Sequence, residues 1–250
     1  MRPVLFHVGG LAVQSYGVSK ALAVLVAGWL VSRELARRGR QPALAYPLTL
    51  AGAVAGFAGA KLYYLAEHGF SLHNLGGTGF TWYGGLIGGA AAVLLVARRN
   101  DLGTSLIAGI VSAPLAIAYG IGRLGCLLAG DGTYGKPSDL PWAMSFPHGT
   151  VPTTQRVHPT PLYEAIMAFA LGAVLWRLRA RLSPAAQFAT FAIVMGIARF
   201  LVEFVRINKI VVAGLSQPQL WSLALIGFGM ALAAHLTLAD RRQKVATQAG

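Results

Sequence analysis

The chain is predicted to be an all-α polytopic membrane protein of about seven transmembrane helices with an outward-facing, loop-rich cap, forming a single integral membrane domain over residues 1–250. Three observations carry that expectation. Only 12% of the residues are charged and 55% are hydrophobic, whereas soluble domains carry about 25% charged residues, and the mean hydropathy is +0.58. The apolar residues gather into stretches that approach the roughly 20 residues a hydrocarbon core requires. The connections between those stretches alternate between arginine-rich and arginine-poor, as membrane topology demands.

Taken in order, spans are expected near Tyr16–Ser32, Tyr46–Ala66, Thr81–Ala97, Thr104–Arg123, Pro159–Trp176, Ala185–Phe204 and Leu215–Leu238. The third and fifth are short. Small-residue spacings such as Gly52/Gly56/Gly59 and Gly84/Gly88 allow close helix approach within them. Arg33, Arg37, Arg38 and Arg40 follow the first span, Arg98 and Arg99 the third, Arg177, Arg179 and Arg181 the fifth, and Arg241, Arg242 and Lys244 the seventh. Those ends are expected to be cytoplasmic, which puts the N-terminus outward and the C-terminus in the cytoplasm. The outward side then holds the long segment from Cys126 to His158, with Pro137, Pro141, Trp142, Pro147 and Pro152. It is too polar and proline-rich to be a span, and loops of that length are often functional. No cleavable signal peptide is expected, since His7, Gly9, Gly10 and Gln14 interrupt the first apolar stretch after Arg2.

The net charge of +13 could point to nucleic acid, but the cations lie in short clusters between apolar runs and not along one face. No nucleic-acid partner is expected. Cys126 is the only cysteine, so a monomer can form no disulfide. The histidines and carboxylates lack a compact ligand spacing, and neither a metal nor a cofactor is expected.

Arg123 and Arg199 lie inside apolar runs, and an intramembrane cation is costly enough to mark a site. After Arg123 the chain continues Leu124-Gly125-Cys126-Leu-Leu-Ala-Gly130-Asp131-Gly-Thr-Tyr134-Gly135, read as a glycine-rich loop leaving the helix at the membrane surface. Backbone amides together with a guanidinium suit a phosphate. Glu164 falls in the first two turns of an apolar helix within His158-Pro-Thr-Pro-Leu-Tyr163-Glu164, so it needs a cationic or hydrogen-bonding partner. Arg199 and Glu203 are four apart and share a helix face, and Arg206 follows. Ser15-Tyr16-Gly17 opens the first span, where an aromatic is commonly only an interfacial anchor. In Trp82-Tyr83-Gly84-Gly85-Leu-Ile-Gly88-Gly89, the glycines would admit either a ligand or a neighbouring helix.

In combination these motifs resemble the prolipoprotein diacylglyceryl transferase family over most of the chain. The resemblance rests on Tyr16-Gly17, Tyr83-Gly-Gly-Leu-Ile-Gly88, Gly122-Arg-Leu-Gly125, Asp139-Leu-Pro-Trp142, His158-Pro-Thr-x-Leu-Tyr-Glu164, Arg199-Phe-x-x-Glu-Phe-x-Arg206, and Leu215-Ser216 with Gln219 and Ser222. The family usually has His at the position of Tyr83, Asn at Cys126, Gln at Pro161, Tyr at Met195 and a shorter loop at Gly130–Gly135.

The resemblance implies an enzyme of the bacterial plasma (inner) membrane that transfers the diacylglyceryl group of phosphatidylglycerol to the lipobox cysteine of a prolipoprotein signal peptide. A thioether forms and glycerol-1-phosphate leaves. Arg123 and Arg199 would stabilise the leaving phosphate, whose charge grows in the transition state. The acceptor thiol, with an ordinary pKa of about 8.5, must lose its proton; His158 is the leading base and Tyr83 the alternative. Glu164, Glu203 and Asp131 would orient the arginines and the loop, with Tyr16, Gly84, Gly85, Gly125, Cys126, Gly135, Tyr163 and Arg206 completing the substrate site. Two other readings stay open: a catalytically silent lipid-binding homologue, and transfer of a different phospholipid-derived group.

Overall fold

The structure is a computed structural model that describes residues 1–71, 74–75 and 79–248. Among these, seven α-helices follow one another: α1 (Ser15–Arg37), α2 (Ala45–His68), α3 (Trp82–Arg99), α4 (Thr104–Ala129), α5 (Thr160–Leu178), α6 (Pro184–Glu203) and α7 (Gln217–Gln248). Three two-stranded antiparallel hairpins lie between or before them. They pair β1 (Val4–Val8) with β2 (Leu11–Gln14), β3 (Met144–Phe146) with β4 (Thr153–Val157), and β5 (Ile210–Val212) with β6 (Leu215–Ser216). Six segments are long and apolar enough to cross a membrane: Ser15–Arg37, Pro42–His68, Thr104–Ala129, Thr160–Leu178, Pro184–Glu203 and Gln217–Leu238. The protein is a multi-pass, mostly helical membrane protein. The 18-residue α3, ending on Arg98 and Arg99, is not one of the six.

Two boundaries differ from the sequence expectation in ways that matter. α4 does not end at Arg123 but runs to Ala129, so Gly125 and Cys126 are helical and not part of a loop. Leu124, Leu127 and Leu128 continue its apolar surface, and Gly125 lets α1 lie against it: a Cβ there would stand 2.5 Å from Ser19 Cβ. The chain turns only at Gly130 and Gly132, both with positive φ, a conformation glycine adopts without steric cost. The last helix starts at Gln217, later than expected, because Leu215–Ser216 pairs as β6.

The chain forms two compact units, Met1–Val26 with Val111–Gly250, and Ala27–Ile110. In the second, α2 and α3 pack backbone to backbone through the glycines read from the sequence. A Cβ at Gly59 would collide with the Gly84 carbonyl, one at Gly88 would lie 2.5 Å from the Ala55 carbonyl oxygen, and one at Gly85 3.2 Å from that of Gly56. At the far end of α1 in this unit the buried Glu34 takes Arg37 at 2.6 Å and Arg38 at 2.7 Å.

In the first unit Ala113 and Ala116 of α4 meet Leu171 and Leu175 of α5, with Phe191 and Met195 of α6 against them. Gly196 of α6 and Gly229 of α7 receive Ile226 and Ile193 in turn. The segment between α4 and α5 has its own small core of Tyr134, Phe146 and Val157, with the Tyr134 and Phe146 rings stacked at 5.0 Å. Arg156 of β4 donates to the carbonyls of Leu140, Pro141 and Ala143, pinning the Leu140-Pro141-Trp142 stretch to the hairpin.

A side chain at Gly88 would test the α2–α3 contact. Gly88→Val should lower stability by about 1–3 kcal/mol, as overpacking does, read as a reduced unfolding midpoint in detergent. An unchanged midpoint would show that the two backbones are not held this closely.

Candidate active site

One buried carboxylate gathers the site. Glu164 stands in the first two turns of α5, buried with only 3% of its side chain exposed. Its Oε1 accepts from Tyr119 Oη at 3.0 Å and from Arg199 Nη1 at 3.2 Å. Its Oε2 lies 3.0 Å from Arg123 Nε and accepts from Arg206 Nη1 at 3.4 Å. Two helices, α4 and α6, and Arg206 just beyond α6 therefore converge on the two oxygen atoms that α5 presents. Arg123 also donates through Nη2 to Tyr119 Oη at 2.8 Å, so the phenol accepts from the arginine and donates to the carboxylate.

A second carboxylate, Glu203 at the end of α6, lies 2.9 Å from Arg199 Nη2 and 3.7 Å from Arg206 Nε. Its Oε1 accepts from Ser216 Oγ at 2.9 Å and from Asn208 Nδ2. The cluster thus holds three guanidiniums and two carboxylates, a surplus of one positive charge in a largely dry place. Burial, then the neighbouring Arg199 and Arg123 cations, push the Arg206 guanidinium below its ordinary value, against the pull of Glu164 and Glu203. Such a surplus favours an incoming anion.

His158 lies at a separate point of the same end of this unit. Backbone bonds fix it: His158 N donates to the Lys136 carbonyl at 3.0 Å, and the His158 carbonyl accepts from Gly135 N at 2.8 Å. Gly135 is pressed so close to the Val205 carbonyl that a Cβ would collide with it. His158 Nδ1 lies 3.3 Å from Tyr163 Oη, which accepts from Trp142 Nε1 at 2.8 Å. Asp131 accepts from the Thr133 amide and hydroxyl, the local bonding by which an aspartate shapes a turn.

Tyr16 is exposed at the start of α1, and Arg123, Cys126 and Asp131 all bear electrostatically on its hydroxyl. Cys126 is a free, buried cysteine. Gly84 and Gly85 belong to the α2–α3 contact, so the backbone approach they permit is that of a helix. Tyr83 lies with them in the Ala27–Ile110 unit.

The family model for prolipoprotein diacylglyceryl transferase matches residues 3–235. The chain belongs to the prolipoprotein diacylglyceryl transferase family. It is 34% identical to a phosphatidylglycerol–prolipoprotein diacylglyceryl transferase of Clostridium tetani, over 82% of this chain and 86% of that one. It is also 34% identical to the enzyme of that name from Methylocella silvestris, over 97% and 95% of the two chains, and 33% identical to that of Geobacter sulfurreducens, over 82% of each.

Within this family member the structure brings together five of the residues singled out in the sequence: Arg123, Glu164, Arg199, Glu203 and Arg206. It sets His158 with Tyr163. Two residues of the network had not been singled out. Tyr119 precedes Arg123 by one turn of α4, and that i,i+4 spacing was a usable signal. Asn208 lies two residues beyond Arg206, outside any helix, strand or turn, and nothing in the local sequence announces its contact with Glu203.

Neutralising Glu164 leaves three buried guanidiniums with one carboxylate. Glu164→Gln should therefore cost about 3–5 kcal/mol of stability, as breaking a buried pair does, whereas Tyr119→Phe should cost about 1–3 kcal/mol from the unsatisfied groups it leaves. Combined, the two changes should fall short of additivity, because they share one network. Full additivity in unfolding measurements would mean that Tyr119 and Glu164 act independently.

Proposed function

We propose that this protein transfers the diacylglyceryl group of phosphatidylglycerol to the lipobox cysteine of prolipoproteins, at the outward face of a bacterial inner membrane. The observation that carries the reading is the buried cluster of three arginines on two carboxylates, built from the motifs that place the chain in its family. Carboxylates hold the guanidiniums in fixed orientations without cancelling their charge. A phosphate arriving there meets preorganised donors, and preorganised charge is worth most where charge develops in the transition state.

The acceptor sulfur attacks the glycerol carbon of the diacylglyceryl group, forming a carbon–sulfur bond. The carbon–oxygen bond to phosphate breaks, and its electron pair leaves on the phosphate oxygen of glycerol-1-phosphate. Arg123 and Arg199 stabilise that oxygen's growing charge, with Arg206 close behind. The thiol proton passes to His158. For that transfer to occur at Nε2, Nδ1 must carry the ring hydrogen and donate it to Tyr163, whose oxygen then accepts from both His158 and Trp142. Tyr163 is in this reading the group that selects the tautomer. Tyr83 is the alternative base, and it needs a large depression of its pKa to serve.

Lysine in place of either central arginine keeps the charge but not the planar fork. Arg123→Lys and Arg199→Lys should each remove most transfer from phosphatidylglycerol to a lipobox peptide, measured by the peptide's gain in mass, while the protein stays folded. His158→Gln should reduce turnover by about 10²–10⁴ with little effect on lipid binding. Wild-type turnover in an arginine variant would make that residue an anchor, and a crippled Tyr83→Phe beside a mild His158→Gln would move the base to Tyr83. Lipid binding without any mass gain would leave only a lipid-binding homologue.

The arginine-rich connections support an orientation with the N-terminus outward, the C-terminus cytoplasmic and α3 as a seventh crossing. Reporter fusions at Arg38 and Lys244 should read cytoplasm, and one at Ser138 the outer side. The same side for all three would overturn this topology.

A further inference from the structure

Lys20 is a cation inside an apolar helix, and the carboxylate of Asp131 shares its neighbourhood at Cys126 without pairing with it. It stands in the second turn of α1, exposed, and it belongs to none of the motifs that carry the family resemblance. Among the described residues it makes no ion pair. An ionisable residue within a span is ordinarily paired or directed to a functional cavity.

Its surroundings place it beside the arginine cluster. The ammonium lies 4.8 Å from the centroid of the Tyr16 ring, one turn nearer the start of α1. A Cβ on Gly122 would come within 3.3 Å of Lys20 Nζ, and the next residue of α4 is Arg123. The neighbouring contact of Ser19 with Gly125 holds the two helices close enough for this to happen. Lys20, over the Tyr16 ring, and Arg123, next to Gly122, thus stand on facing helices. The ammonium reaches back towards the start of α1, over the Tyr16 ring and along the α4 backbone at Gly122, which keeps it beside Arg123.

We propose that Lys20 is a further binding residue for the phospholipid substrate, contacting its anionic headgroup from α1 while Arg123 engages it from α4. The proposal rests on the transfer reading above. It also gives the site a means of selection. Added to the surplus charge of the arginine cluster, the Lys20 ammonium favours a headgroup whose only charge is the phosphate. It repels one that carries an ammonium of its own, since a like charge brought into such a site is a repulsive element against the wrong ligand.

The test is equilibrium binding of phosphatidylglycerol and phosphatidylethanolamine to the purified full-length protein in detergent, without acceptor peptide. Lys20→Met and Lys20→Gln should each weaken phosphatidylglycerol binding by about tenfold, the scale of one charge-assisted contact, and narrow the preference over phosphatidylethanolamine. Lys20→Arg should retain both. In turnover with a lipobox peptide, the neutral variants should raise KM for phosphatidylglycerol and leave kcat close to wild type, a split that loss of packing alone does not produce. Wild-type affinity and preference in both neutral variants would overturn the proposal, as would a wild-type protein that shows no preference for phosphatidylglycerol. A protein that binds phosphatidylglycerol selectively through Lys20 yet transfers nothing would refute the transfer reading and leave the Lys20 assignment standing.

Discussion

Glu164 is the constraint on which the arginine-bearing end of the Met1–Val26, Val111–Gly250 unit depends. One carboxylate takes ion pairs or hydrogen bonds from Arg123 and Tyr119 of α4, Arg199 of α6 and Arg206 beyond it. A carboxylate buried in an apolar helix cannot remain charged alone, and three guanidiniums cannot crowd together without it. Each side makes the other tenable, and the result ties the ends of three helices to a common point. The short bonds around Gly135, His158 and Val205 extend the same anchoring to the segment before α5. The base candidate and the arginine cluster are thus held by one scaffold although they do not touch through any described contact.

The parts of this arrangement that could be read from the sequence are those set by local spacing or by transfer energetics. Apolar length announced the helices, and a helix stands at each of the seven expected positions. The i,i+4 spacing of Arg199 and Glu203 announced their pair, found at 2.9 Å, and the cost of an unpaired Glu164 announced that partners must exist. Which partners they are could not be read, because Glu164 meets residues 35, 41, 42 and 45 positions away in the chain, and no periodicity encodes contacts of that range. The end of α4 was misplaced for a related reason. Gly125 resembles a helix breaker when read alone, and only Ser19 of α1, packed against it, explains why a glycine belongs inside that helix. The three hairpins were also not foreseen, since each strand is only two to five residues long and so short an alternation does not stand out from its surroundings.

Glycine has two distinct duties here. In α2 and α3 it removes side chains so that helices can pack through their backbones, a contact that needs no hydrophobic driving force in lipid. Gly84 and Gly85 serve that packing, which accounts for the glycines of the Tyr83 motif without invoking a ligand. At Gly130 and Gly132 it supplies positive φ, letting the chain leave α4 and enter the Tyr134–Phe146–Val157 core. The sequence shows the same residue type in both places, and only the packing tells the two apart.

The position of Cys126 bears on how many chemical steps the site can support. A nucleophilic thiol must be exposed enough to meet a glycerol carbon and must be held as thiolate by nearby positive charge. Cys126 is 5% exposed and lies on a helix, one turn past Gly122 and packed towards the end of α4. Asp131 lies near its sulfur as well as Arg123 and Lys20, so the cations do not act on it unopposed. A buried cysteine of this kind behaves as a small apolar residue. The acceptor brings a thiol of its own, and the arginine cluster is placed to stabilise phosphate departure, whichever sulfur attacks. A covalent lipid on Cys126 would add a transfer step at a buried side chain. Direct displacement by the acceptor thiol is therefore the mechanism that the burial and charge distribution favour.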